Sequence, residues 1–243
     1  LITKDTKDTL NNSISNTGPT SIQNVGPSFN RELYFSARNK TIEAINTLGQ
    51  QLVEDINAKR HLNFSEADGH LMVNNLFKEM QIDRTWHPTK FRLGVDTTKN
   101  FSEASTPNLM LKTNDIFFID VGPVIAGMEA DYGRTFVVGD HQPFHTLAKD
   151  AERVFKEVAN HWQTKKVNGM ELYQFAANCA EKMGHQLNLK MDGHRLGDFP
   201  HALYFKGGLA EIEETPLPML WILEIHLLSK DGSYGAFYED LLL

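Results

Sequence analysis

Apolar residues recur along this chain with two different periods, and the change of period marks out its elements. Within 31–60, Ile42, Ile45, Leu48, Leu52 and Ile56 fall along one face of a helix. Ser65, with Asp68 three residues on, has the form of an N-cap opening a second helix that carries Leu71, Leu76 and Met80. Over 85–138 the pattern changes to short apolar or aromatic runs broken by Gly, Pro, Asn and Asp, as strands are. The order then returns. Leu147, Ala151, Val154, Phe155, Val158 and Trp162 make a helical stripe, and Leu172, Phe175, Ala176, Cys179 and Met183 make another within 170–189. Strand-like runs follow at 201–205, 218–228 and 234–243. Two helices and then strands, twice over, predict an α+β fold built from a duplicated unit, each helix pair packed over antiparallel sheet. No residue-level repeat accompanies this order of elements. Residues 1–30, rich in Thr, Ser, Asn, Asp and Lys, read as a polar tail or arm, which leaves 31–243 as the domain.

Composition narrows the function classes. Of 243 residues, 41% are hydrophobic and 23% charged, as in an ordinary globular protein. The net charge of −7, with no basic block to offset it, argues against nucleic acid as a partner. No apolar run reaches the ~18 residues of a membrane span. The single cysteine, Cys179, cannot form an intrachain disulfide, and the expected compartment is the cytoplasm. Leu1 stands where an initiating Met would, so a preceding segment is expected to have been removed. The oligomeric state is left open.

The chemistry gathers around 114–140. Ile116, Phe117, Phe118 and Ile119 read as a buried strand that ends at Asp120, where a charge is costly unless paired or bound to metal. Val121, Gly122 and Pro123 are expected to turn the chain, and Asp131 opens a second run toward Thr135 and Val138. A hairpin of this kind can bring both carboxylates to one spot; on spacing alone such a pair also serves turn chemistry. Four further positions are similar in kind. His194 is glycine-flanked, His201 follows seven residues later, Glu224 interrupts the apolar run 220–225, and Glu239 interrupts 236–242. Carboxylates within otherwise buried strands call for a common cation.

Together these residues resemble the methionine aminopeptidase, aminopeptidase P and prolidase family, metallopeptidase family M24, whose fold is called pita-bread. The resemblance runs over roughly 31–243 and rests on Asp120 and Asp131 with ten residues between, the His194/His201 pair, Glu224 and Glu239. It implies a pair of divalent ions, with Asp120 on one, Asp131 and Glu239 bridging, and His194 and Glu224 on the other. Four carboxylates against two divalent ions make a nearly neutral cluster. A donor set rich in oxygen with one imidazole suits Mn, Co or Fe, and Zn can also occupy it. The resemblance further implies catalytic roles for His201, toward the substrate and the developing oxyanion, and for Glu224, as proton shuttle.

Two features depart from the family pattern. Arg195 stands where the family has a glycine after its first histidine, and is expected to point outward or to bind a substrate carboxylate. Ser102 and Glu103 occupy the positions of the family's accessory histidine. His87 lies too far upstream to replace it unless a loop returns it, and reads as a plain strand histidine. The expected activity is hydrolysis of an N-terminal or dipeptide bond in a peptide, of the aminopeptidase or Xaa-Pro type. The alternatives are a creatinase-like hydrolase of another C–N bond and a catalytically silent binding module.

Overall fold

The computed structural model describes residues 29–61 and 63–243, so residues 1–28 of the expected tail lie outside the described residues. Helix α1 (Arg31–Asn57) starts at Asn30, whose side chain accepts from the Leu33 N–H. Helix α2 (Glu66–Glu79) opens on a reciprocal capping box between Ser65 and Asp68, as the sequence predicts. Its inner face is Gly69, Val73 and Phe77, while Leu71 is 57% exposed. The reason is the close seat of Gly69 on the Phe91 ring, which no side chain there would permit and which fixes the face turned inward.

Strand β1 (Thr85–Leu93) leads through a 3-10 turn (Gly94–Thr98) and a loop to β2 (Asp115–Ile125), β3 (Met128–Glu129) and β4 (Tyr132–Val138). The turn expected at Val121, Gly122 and Pro123 is absent. Strand β2 runs on to Ile125, and the chain reverses at Ala126 and Gly127, both at positive φ. Pro123 is tolerated because it faces Thr85 beside a register shift in β1, where a missing N–H interrupts no regular ladder.

The second unit repeats the order with α3 (Gln142–Lys165) and α4 (Gly169–Lys182), followed by β5 (Gln186–Leu187), β6 (His194–Arg195), β7 (Trp221–Leu228) and β8 (Gly235–Leu241). Helix α4 ends well before 189, because Gly184 takes the left-handed conformation just past its cap. The run 201–205 is not a strand: His201–Leu203 forms a 3-10 turn.

All the pairings are antiparallel. The sheet runs β1-β2-β4-β8-β7-β5, with β3 on β2 and β6 on β7, so the two units join where the last strand of each, β4 and β8, pair. One core gathers Ile45, Leu52 and Val73 of α1 and α2 with Phe117, Ile119 and Val121 of β2. The other gathers α3 and α4 with Leu223, Ile225 and Leu227 of β7 and Ala236 of β8. Arg38 of α1 grips Asp240 of β8 through both carboxylate oxygens, a bidentate pair that ties the first helix to the last strand.

Alternation along the strands decides the rest. With odd-numbered residues of β2 and β7 under the helices, Asp120 and Glu224 are sent to the other face of the sheet, and in β8 Glu239 joins them.

Candidate metal centre

Strand register brings the acids into one row. Asp120 pairs with Gly133, Gly133 with Glu239, and Glu239 with Glu224, a single rung across β2, β4, β8 and β7. Gly133 is required in that row. A Cβ there would press on Glu239 Oε1 and the Phe237 ring, closing the space between the two carboxylates. Asp131 stands two residues before Gly133, and β6 places His194 opposite Ile222, two residues before Glu224. The five residues singled out from the sequence as ligands therefore line one cavity, of about 340 Å³, together with His201. A groove of about 790 Å³ between α1 and α3, lined by Gln50, Arg134 and Lys149 among others, lies on the helix side of the sheet, away from this chemistry.

His194 is oriented by its own backbone neighbourhood. Its Nδ1 lies 3.0 Å from the Arg195 carbonyl, to which it donates, so Nε2 is turned toward Asp131 Oδ2 at 2.9 Å and Glu224 Oε1 at 3.5 Å. Glu224 is anchored behind by Tyr173 of α4, whose hydroxyl donates to the Glu224 carbonyl at 3.0 Å. Arg195, on the opposite side of β6 from His194, does not point outward. It is buried, its guanidinium lies 4.7 Å over the Tyr204 ring, and it stays out of the cavity. Alternation in β6 sends it there once His194 faces the acids.

His201 sits apart from the ligand row. Its Nδ1 is 2.9 Å from Glu129 Oε2, its backbone N–H donates to Glu129 Oε1 at 3.0 Å, and its ring lies 4.9 Å from Trp86. Glu129, fully buried on β3, thus holds the imidazole and leaves Nε2 free to meet a ligand.

Some residues at the site were not singled out from the sequence. Glu129 does not line the cavity but holds His201 from behind, and its signal was a carboxylate between Met128 and Ala130 in a run otherwise apolar. Trp86 and Phe101 supply apolar wall. His87 lines the cavity and is no plain strand histidine: its Nε2 stands 3.3 Å from Asp131 Oδ1 and 3.5 Å from Asp120 Oδ1. Strand β1 returns it to the site by pairing His87 with Gly122. Ser102 and Glu103 do not line the cavity.

The electrostatics are those of a cluster short of cations. Burial raises Asp120 above the usual carboxylate range, against the pull of His87. Burial with Asp120, Asp131 and Glu224 nearby raises Glu239 far above it, and burial lifts Glu224 to about 7. Asp131 alone is lowered: burial opposes its charge, but His194 and His87 outweigh it. Burial opposes the charge of both histidines too, yet Asp120 and Asp131 hold His87 up to about 9 and Asp131 holds His194 up to about 9. Asp131 Oδ2 and Glu239 Oε1 are buried and make no well-aligned hydrogen bond, the 2.9 Å approach of His194 Nε2 to Asp131 Oδ2 included. Two sets, His87 with Asp120 and Asp131, and Asp131 with His194 and Glu239, offer atoms that lie within 4.8 Å of one another. Buried carboxylate oxygens so poorly served, beside imidazoles, fit divalent cations.

A curled antiparallel sheet of two like halves, with helices over one face and acids in the other, is the pita-bread architecture of aminopeptidases and prolidases. Residues 37–243 match the pattern of metallopeptidase family M24, and the chain belongs to that family. Similar solved structures include prolidase from Thermococcus sibiricus (15% identity, TM-score 0.66, covering 88% of this chain and 56% of that one). Methionine aminopeptidase from Thermotoga maritima also has 15% identity, with TM-score 0.61 over 82% of this chain and 87% of that one. X-Pro aminopeptidase from Thermotoga maritima has 15% identity and TM-score 0.61 over 88% and 58% respectively. The chain thus spans little more than half the length of the prolidase and of the X-Pro aminopeptidase. No curated protein matches it. Among the described residues no helix is long and apolar enough to cross a membrane.

Proposed function

We propose that residues 31–243 form one dimetal-dependent peptidase domain that hydrolyses an N-terminal aminoacyl or Xaa-Pro bond of a peptide. The observation that carries this reading is Asp131, whose two buried oxygens each face an imidazole while Asp120, Glu239 and Glu224 stand in one rung beside it. In this reading Asp120 would hold one ion, His194 and Glu224 the other, and Asp131 and Glu239 would be shared by both. The ions would be Mn, Co, Fe or Zn, and when bound they supply Lewis acidity toward the scissile carbonyl and toward water.

The remaining steps belong to the protein. Glu224, facing the cavity beside His194, is placed to take a proton from the attacking water and pass it to the leaving amine. His201, held by Glu129, donates to the substrate carbonyl oxygen as negative charge develops there. Trp86, Phe101 and Met191 give the cavity an apolar side for the residue flanking the scissile bond, and Lys190 and Lys206 line it as counter-charges for a peptide carboxylate.

A panel of Met-Xaa and Xaa-Pro peptides, offered to protein loaded in turn with each of the four metals, tests the reading. Release of a free N-terminal residue, abolished by chelation and restored by metal, is the expected result. No cleavage of any peptide by protein shown to hold two ions would overturn it in favour of a binding module.

A further inference from the structure

Resting on the dimetal reading above, we infer that His87 is a ligand of the first metal, so that each of the two ions has its own imidazole. The donor set expected from the sequence gave a histidine to the second ion only.

The argument starts from the backbone. Strand β1 has register shifts on both sides of His87, between Thr85 and His87 and between His87 and Lys90. Irregularities of this kind re-aim a side chain out of the regular alternation. Opposite His87 is Gly122, and a Cβ at that position would collide with the His87 ring and with the Trp86 indole. The neighbouring strand is thus shaped to admit an imidazole over the acidic row.

The ring is then fixed as a ligand ring is fixed. His87 Nδ1 lies 2.9 Å from the Pro88 carbonyl, one residue on, as His194 Nδ1 lies 3.0 Å from the Arg195 carbonyl, one residue on. In both cases the nitrogen against the carbonyl carries a proton, so Nε2 is the nitrogen left to ligate an ion once its own proton is displaced. Metal-ligating histidines are oriented in this way. His87 Nε2 faces Asp131 Oδ1 and Asp120 Oδ1, and His194 Nε2 faces Asp131 Oδ2 and Glu224 Oε1. Without an ion a proton on Nε2 lies between the ring and these oxygens; for His87, a divalent cation would take the place of that proton among the same three atoms, which lie within 4.8 Å of one another. The separations of 3.3 and 3.5 Å are close to the ~3.4 Å edge of a tetrahedron with metal–ligand distances of ~2.1 Å. Asp131 is therefore the centre of a near-symmetric arrangement, one oxygen and one histidine for each ion. The chemical consequence is selectivity: an imidazole in both subsites favours Zn, Fe or Co over Mn and Mg, which prefer all-oxygen sites.

X-ray absorption of the zinc-loaded wild-type protein counts the imidazoles directly and needs no variant. One imidazole per zinc is expected; half an imidazole per zinc, that is one histidine shared over two ions, would overturn the inference. His201→Ala should leave the count unchanged, since that ring is engaged by Glu129. His87→Ala should keep one tightly held ion and lose the other by more than the ~10–100-fold that removal of an outer-shell partner costs, as followed by cobalt absorption and equilibrium dialysis. A His87→Ala protein that still holds two ions at wild-type affinity would also overturn it. The two readings fail separately. Wild-type protein that binds fewer than two ions sinks the dimetal reading and this inference with it, whereas two ions with half an imidazole each sink the inference alone.

Discussion

His201 and the residues around it show how much a single side chain can be made to carry. It lines the cavity and its Nδ1 is taken by Glu129, and in the proposed mechanism it acts on the substrate and holds no ion. His201→Ala should keep both metals and the wild-type melt while turnover falls by roughly 100- to 1000-fold, the range seen when one oxyanion donor is removed. Steady-state kinetics, metal analysis and melting on one preparation check this; unchanged turnover would end the catalytic role. At this scale the gathering of Asp120, Asp131, His194, Glu224 and Glu239 in one cavity was legible, because they occur in order and interrupt or flank runs that burial would otherwise keep apolar. Their proposed roles come only from the family resemblance. His87 was not legible, since a strand, a turn and a loop separate it from Asp120 and only the bulged β1 register reunites them. Arg195 was misread for the same reason: the face it takes is decided by β6 alternation, which its position in the sequence does not reveal.

Among elements, α1, α2 and α3 were read nearly to their ends because capping residues and a 3.6-residue stripe are local signals, whereas α4 was carried seven residues too far, past the left-handed Gly184. Ser65 with Asp68 is the clearest case. The strands were read less well. The run at 121–123 carries turn residues, yet pairing with β1 and β4 overrides them and extends β2 to Ile125. His226 shows what such pairing makes possible between elements. From β7 its Nε2–H donates to the Thr97 carbonyl at 2.7 Å, and its Nδ1 accepts from the Asn188 amide at 3.0 Å, so it joins the 3-10 turn of the first unit to the second. Burial lowers its pKa from 6.5 to about 4, which means that between those values the unfolded chain binds a proton that the folded chain refuses. The stabilisation is complete above pH 6.5 and is lost as pH falls toward 4, by roughly 3 kcal/mol in all. Urea unfolding of wild type and His226→Gln at pH 7.5, 5.5 and 4.5 should show the steeper acid loss in the wild type. Parallel pH dependences would mean that His226 is not held neutral.

The whole molecule is two helix-covered half-sheets joined at β4 and β8, with the proposed ligands drawn from both halves. Asp120 and Asp131 come from the first, His194, Glu224 and Glu239 from the second. Duplication was visible in the order of elements, whereas the joining of the halves through their last strands was not, because no local pattern specifies a pairing a hundred residues apart. An ion held by ligands from both halves binds the folded chain far better than the unfolded one, and so stabilises the fold by mass action, on the order of a few kcal/mol at saturation. The account therefore turns on Asp131, the one carboxylate whose two oxygens face both histidines. The most direct measurement is elemental analysis with a thermal melt on wild type and Asp131→Ala, before and after chelation. Two ions per chain in the wild type, a melt lowered by chelation and restored by Mn or Co, and no stoichiometric metal in Asp131→Ala are the results predicted. An Asp131→Ala protein that keeps both ions, or a wild-type melt that ignores verified metal removal, would contradict the account.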